Sequence, residues 1–438
     1  MKRQGKRFVF CAAAMALAIF ITGCTGGGFA KSNKGSAEFV PKLDTDTDCT
    51  ITVAGHYENF EALETEFNRF SEYYPNVQMN YTFMDGYSKA ASGILSTALS
   101  GSEAPDIFFT YPWMGDWDDH EIIFGASENL ADASLGIDLS CIRQDLLKKD
   151  ENGNILSVPV YTTTYGMLVN EDLFAKEKVE IPQTYEQLLK ACETFKNAGY
   201  SDPIMGYNKG SDLLYPMFYP YFCAQVKGNE DALSAMNEMK KEGGEYMRST
   251  LDLVADFMGH GYIDLDNCNA LENNYDAVIM RFFEGDVPMM LASGNTVSGT
   301  EKREAKSEAF IANPFKYSFH PVPSTKDGGY FINAVSIGFG VNKNSENLDM
   351  ANEFMRFLVR AEELNRMAMA KRMVTPCTDM SMDSVYAPFE KLSTKRFINS
   401  SELGLKDEAA SQVSKAGWQV SNGKMTVDEA IAAYGSLE

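Results

Sequence analysis

Phe60, Leu63, Phe67 and Phe70 recur at a spacing of three and four residues, which puts them on one face of an amphipathic helix that Pro75 ends. The pattern changes period on both sides of it. Cys49–Ala54 is a short β-rich run, and Val77, Met79, Tyr81 and Phe83 alternate as a strand does. A second helix is predicted over Ser88–Ser100 and a third strand over Ala104–Thr110, introduced by Pro105. The order β-α-β-α-β predicts an α/β lobe built on a largely parallel sheet. The middle of the chain is richer in helix. Tyr185–Ala198 is amphipathic, with Thr184 placed as N-cap and Gly199 as stop. Leu251–Met258 and Asn274–Glu284 also read as helices. Strand character returns at Val287–Leu291, Tyr317–Val322 and Val335–Val341. Leu348–Leu358 and Val427–Leu437 are helical, the latter opened by a Thr-x-x-Glu box from Thr426 to Glu429.

The N-terminus follows another rule. A basic head (Lys2, Arg3, Lys6, Arg7) precedes the apolar run Phe8–Ile21, which is too short to span a bilayer and has the form of an export signal. Ile21-Thr-Gly-Cys24 resembles the lipobox of bacterial lipoproteins, which implies cleavage after residue 23 and acylation of Cys24. The expected arrangement is a signal at 1–23, a Gly/Ser/Thr/Asp-rich flexible tether at 24–48, and folded protein from 49 onward, outside the cytoplasmic membrane. No later stretch has 18 uncharged apolar residues, so lipid is the expected membrane contact.

Composition narrows the function classes. The formal charge of −22 falls to −26 once the basic signal is removed, which disfavours nucleic acid and anionic lipid surfaces as partners. About 415 residues exceed one ordinary core and predict two lobes. Cys49, Cys141, Cys192, Cys223, Cys268 and Cys377 form no Cys-x-x-Cys pair, and the four histidines form no His-x-x-x-His pair, so neither a metal site nor a cofactor is expected. Export permits disulfides, and isolated buried thiols are equally compatible with the spacing. A Gly-x-Ser-x-Gly elbow, a Walker loop and a Gly-x-Gly-x-x-Gly are absent from the sequence.

Separated segments in a fixed order resemble the extracellular solute-binding proteins of ABC importers, of the sugar-binding, maltose-binding-like class. They are Ile51–Ala54 with the Phe60–Phe70 helix, Ala104-Pro-Asp-Ile-Phe-Phe109, and Val158-Pro159 through Tyr165–Phe174 and Ile181–Leu188. Phe283–Asn295, Pro321–Pro323 with Val335–Asn342, Ala351–Leu358 and Gly423–Ala430 continue the series. The resemblance implies a two-lobed α/β, type II periplasmic-binding-protein-like fold. Lobe I would comprise 49–112 plus 289–342, and lobe II 113–288 plus 343–438, with the ligand in a cleft that closes by hinge motion. It further implies a non-enzymatic, monomeric carrier of a carbohydrate whose protein partner is an ABC permease. A secreted glycan-active enzyme and a binding module feeding a sensor kinase are the alternatives.

A sugar offers hydroxyls around a flat apolar face, so its site needs amides, carboxylates and hydroxyls beside aromatic rings. The expected ligand residues lie at strand ends and in glycine-bearing loops. They are His56, Tyr57 and Glu58 after the first strand, and Tyr111 and Trp113 after the third. Thr163 and Tyr165 follow Val158-Pro159, and Ser293 and Asn295 flank Gly294, where the family's usual Gly-x-aromatic is missing. Tyr330 and Phe331 follow Gly328-Gly329, Arg372 precedes Val374-Thr-Pro376, and Asp212 follows the Gly199 turn.

Overall fold

The computed structural model describes residues 38–88, 93–208, 213–272, 275–379 and 382–437. The signal, Cys24 and the first part of the expected tether lie outside them, as does Asp212. Ten strands form two sheets: β1 (Cys49–Gly55), β2 (Val77–Phe83), β3 (Ile107–Thr110), β4 (Val158–Thr163), β5 (Tyr165–Asn170), β6 (Ile204–Met205), β7 (Met289–Ser293), β8 (Tyr317–His320), β9 (Phe331–Val341) and β10 (Phe397–Asn399). The first sheet runs β10-β9-β3-β1-β2, with β4 also on β9; the second runs β6-β7-β5-β8. β1 pairs in parallel with β2 and β3, as the β-α-β-α-β order predicts, and β9 joins β3 antiparallel.

Lobe I is assembled by the phenylalanine face read from the sequence. Helix Glu61–Ser71 buries Leu63, Phe67 and Phe70, and Phe70 meets Phe354 and Phe357 of helix Leu348–Leu358 at 5.2 and 5.5 Å. The same helix buries the Glu66 carboxylate against the Arg366 guanidinium at 3.0 Å, because no water is left there to solvate it. Lobe II wraps its sheet in longer helices, among them Tyr185–Asn197, Tyr215–Val226, Arg248–Gly259 and Asp407–Ser421. The start signals act as expected. Thr184 accepts from Gln187 N, Asn170 accepts from Leu173 N, and Thr426 with Glu429 completes a capping box.

The two hydrophobic cores divide the chain differently from the expected lobes. Met114, Ile142 and Val158 pack in the first core together with Phe339, Phe354 and Met367, whereas Met289, Phe319 and Phe331 belong to the second, with Phe389 and Val413. Thus 113–163 and most of 343–377 contribute to the first core, Val374 joins the second, and 289–332 contributes to the second. The chain crosses where a strand leaves one sheet and enters the other: at Thr164 between β4 and β5, along β9, and between Met373 in the first core and Met382 in the second. Hydrophobic period is the same on both sides of such a crossing, so the pattern does not mark it. The folded part also starts before residue 49. Phe39 is buried against Tyr73 and Phe357 at 5.0 and 5.3 Å, and Lys42 N donates to Glu353. One aromatic ring with a socket outweighs the polar composition around it. Among the described residues no helix is long and apolar enough to cross a membrane.

Candidate functional site

The carboxyl ends of β1 and β3 are adjacent because the two strands pair, Val53 with Ile107 and Ala54 with Phe108. Their following loops therefore meet. Gly55 permits the approach, since a Cβ there would lie 2.5 Å from the Phe109 ring. His56 Nδ1 and the Tyr111 hydroxyl share a hydrogen bond of 2.5 Å. Burial, and then the nearby Lys371 charge, push the His56 pKa down to about 4, so the ring is neutral at physiological pH. Burial also raises the Tyr111 hydroxyl above the ordinary phenol range, which keeps it protonated and able to donate. The Tyr111 ring stacks on Trp113 with centroids 5.1 Å apart and planes 14° apart. Tyr111 is buried, and Trp113 is 43% exposed, so the indole offers an open aromatic face on a backed support. Tyr87 supports it from behind, its hydroxyl donating to the Phe109 carbonyl at 2.8 Å. Tyr57 lies against His56 at 4.2 Å with Lys371 Nζ 4.8 Å from its ring, and Glu58 is exposed on the same loop.

A second group forms where β4 passes into β5. Register pairs Tyr165 with Ser293, and Gly294 N donates to the Thr164 carbonyl at 2.8 Å. A Cβ at Gly294 would fall 2.7 Å from Thr163 Oγ1, so only glycine fits that contact without a shift. Among the described residues the buried hydroxyls of Thr163 and Thr164 find no hydrogen-bond partner. Ser293 caps the short helix Gly294–Val297 by accepting from Thr296 N, and Asn295 Oδ1 accepts from Ser336 Oγ of β9 at 3.1 Å. Tyr165 packs edge-on against Tyr215 at 5.0 Å and Tyr219 at 6.1 Å, which stack on each other at 4.4 Å. Nine of the expected residues thus fall into two groups rich in aromatic rings and hydroxyls, and Glu58 is the one carboxylate among them. A cation bridges the lobes beside the first group, where Lys302 Nζ lies 2.6 Å from Glu61.

Two of the expected residues are engaged away from both groups. Phe331 is fully buried against Phe389 and Phe397 at 5.4 and 5.0 Å, so it builds the lobe II core. Its neighbour Tyr330, just before β9, stays half-buried under the Arg396 guanidinium at 4.8 Å. Arg372 is committed elsewhere: Nη1 donates to Thr300 Oγ1, Glu304 Oε1 and the Tyr317 hydroxyl at 2.9, 2.9 and 2.7 Å. Its left-handed backbone (φ 46°) aims it there. Sequence reasoning missed Tyr87, Lys371, Tyr219 and Ser336. Of these, Tyr219 alone carried a signal, in the aromatic run Tyr215-Pro-Met-Phe-Tyr-Pro-Tyr-Phe222. A cavity of about 270 Å³ lined by Pro182, His320, Lys391 and Arg396 lies in lobe II and includes none of the expected ligand residues.

Comparison with known proteins places the architecture. The model of the family described as bacterial extracellular solute-binding protein matches residues 54–364. The melibiose/raffinose/stachyose-binding protein MelE of Bacillus subtilis is 20% identical over 303 residues, 67% of this chain and 66% of that protein, just under two thirds of its length. The GacH receptor of Streptomyces glaucescens, solved unliganded and with acarbose, superposes with a TM-score of 0.67 at 18% identity, covering 89% of this chain and 97% of that one. RafE of Streptococcus pneumoniae in its apo form gives 0.64 at 16% identity, covering 91% and 100%.

Proposed function

The chain belongs to the bacterial extracellular solute-binding protein family, and from that premise we propose that it captures a neutral oligosaccharide outside the cell and delivers it to an ABC permease. The observation that carries the ligand class is the Tyr111–Trp113 stack beside the uncharged His56. An open indole covers the apolar face of a pyranose, while neutral hydroxyl, imidazole and amide groups exchange hydrogen bonds with its rim. Relatives that bind raffinose-type sugars and acarbose support the same class. The mechanism is capture without chemistry. Ligand held between the lobes would favour a closed arrangement, with the chain bending where it passes between the two cores, at Thr164 and along β9. Lipid on Cys24 would hold a monomeric receptor near its permease.

Thermal shift with raffinose, stachyose and acarbose tests the ligand class. A ligand at 100 times its dissociation constant stabilises the folded state by about 2.7 kcal/mol and raises the melting midpoint. The expected result is a rise with a sugar and no product after prolonged incubation. A rise only with an amine, a metal ion or a peptide overturns the sugar reading, and turnover overturns the carrier reading. Cys24→Ser should release the protein from membranes with sugar affinity unchanged.

A further inference from the structure

The six described cysteines are free thiols, and two of them flank the same β-bridge. Cys141, in a lobe I loop, and Cys377, in the third crossing, lie 236 positions apart in sequence and side by side in space. An antiparallel bridge joins Ile142 to Cys377; Arg143 N donates to the Pro376 carbonyl at 3.1 Å and Thr378 N to the Cys141 carbonyl at 2.9 Å. The two thiols sit close enough that each shifts the other's ionisation. Their surroundings differ. Cys377 is buried, whereas Cys141 is half-buried with Sγ 3.0 Å from the Val359 carbonyl. Cys192, Cys223 and Cys268 are sealed in the lobe II core.

We propose that Cys141 and Cys377 are a reversible disulfide site, closed by a small-molecule disulfide outside the cell, that staples the third crossing to lobe I. Cys141 is the reachable thiol. The neighbouring Cys377 side chain lowers its pKa and favours the thiolate, while Cys377 itself is shifted up. Cys141 Sγ attacks one sulfur of the reagent, forming a mixed disulfide and releasing one thiolate. Cys377 Sγ then gives up its proton, attacks Cys141 Sγ and displaces the second thiolate. The protein loses two protons and two electrons, and the reagent is reduced to two thiols. The segment so fixed is bonded on its other side to β4, through Thr162 N to the Val374 carbonyl at 2.8 Å. The staple therefore joins a crossing segment to the lobe it leaves and spares the other two crossings.

The test uses the full chain, equilibrated with either oxidised or reduced glutathione, alkylated in denaturant and digested for mass spectrometry. A Cys141–Cys377 linked peptide should appear with the oxidised reagent and vanish with the reduced one, and the melting midpoint should rise by several degrees with it. Cys377→Ser should trap glutathione on Cys141. Full alkylation of both thiols after oxidation overturns the proposal. So does glutathione carried separately on each, a linked peptide joining a different pair, or a Cys141–Cys377 link that leaves the midpoint unchanged.

Discussion

Trp113→Ala removes the open face of the proposed platform and little else. The indole is 43% exposed and sits in the short 3-10 turn Pro112–Asp116, so the truncation opens no core cavity. A tryptophan presents about 250 Å² in all, which leaves about 100 Å² for a ligand to cover. If a pyranose covers between half and all of that area, at about 25 cal/mol per Å² the contact contributes about 1.2 to 2.5 kcal/mol. At about 1.4 kcal/mol per decade, affinity falls about 7- to 60-fold. Loss of the Tyr111 stack, at 5.1 Å and 14°, costs about 0.5–1.5 kcal/mol of stability, which must be kept apart from binding. Isothermal titration calorimetry with raffinose and stachyose, well below the melting midpoint, makes that separation. Trp113→Phe, which keeps a flat ring on the Tyr111 support, should recover most of the affinity. A folded Trp113→Ala protein that binds within about threefold of the parent would refute the platform argument.

Further outcomes follow from buried groups. The His320 imidazole is held down to about pKa 4 by burial and then by the Lys391 charge, with Nε2 2.8 Å from Ser318 Oγ. Its contribution is present above about pH 6.5 and is lost as pH falls toward 4, because there the unfolded chain binds a proton the folded ring refuses. Urea titrations between pH 7 and 4 should show His320→Gln flattening the stability slope by up to about 1.4 kcal/mol per pH unit; an identical slope would count against the assignment. Phe39→Ala should lower the unfolding free energy by about 3 kcal/mol, since the ring is buried under Tyr73, Phe357 and the Arg356 guanidinium at 4.4 Å. A loss below 0.5 kcal/mol would return 38–48 to the tether. Arg372→Met should destabilise by about 2–4 kcal/mol by stranding Glu304, with sugar affinity within about twofold of the parent. A tenfold affinity loss at unchanged stability would make Arg372 a ligand residue after all.

Local signals read well where one segment contains the whole cause. Val77–Phe83 and Leu348–Leu358 have the expected bounds, because the period of 2 or 3.6 is complete within each. Thr426 and Glu429 close their box through contacts three residues apart. The clustering of the candidate residues was legible in part for the same reason: His56, Tyr57, Tyr111 and Trp113 follow strands, and parallel pairing of β1 with β3 brings such loops together. It failed at neighbouring pairs such as Tyr330 and Phe331, where both rings read alike and the sheet alone decides which one turns inward. Helix Tyr215–Val226 was missed because it is apolar nearly all round and carries Pro220, so no face stands out.

Backbone propensity, cap chemistry and hydrophobic period act over a few residues, and from sequence alone they fix those strands and helices whose period is complete within one segment, the α/β class and the aromatic loops at the strand ends. The crossings, the lobe boundaries, the Asn295–Ser336 bond and the Cys141–Cys377 contact join positions from 41 to 236 residues apart. Such contacts depend on which strand pairs with which and in what register, as in the bond from Thr162 N to Val374 across 212 positions. Pairing of that kind is settled by burying two cores at once, and no single stretch of chain contains the information.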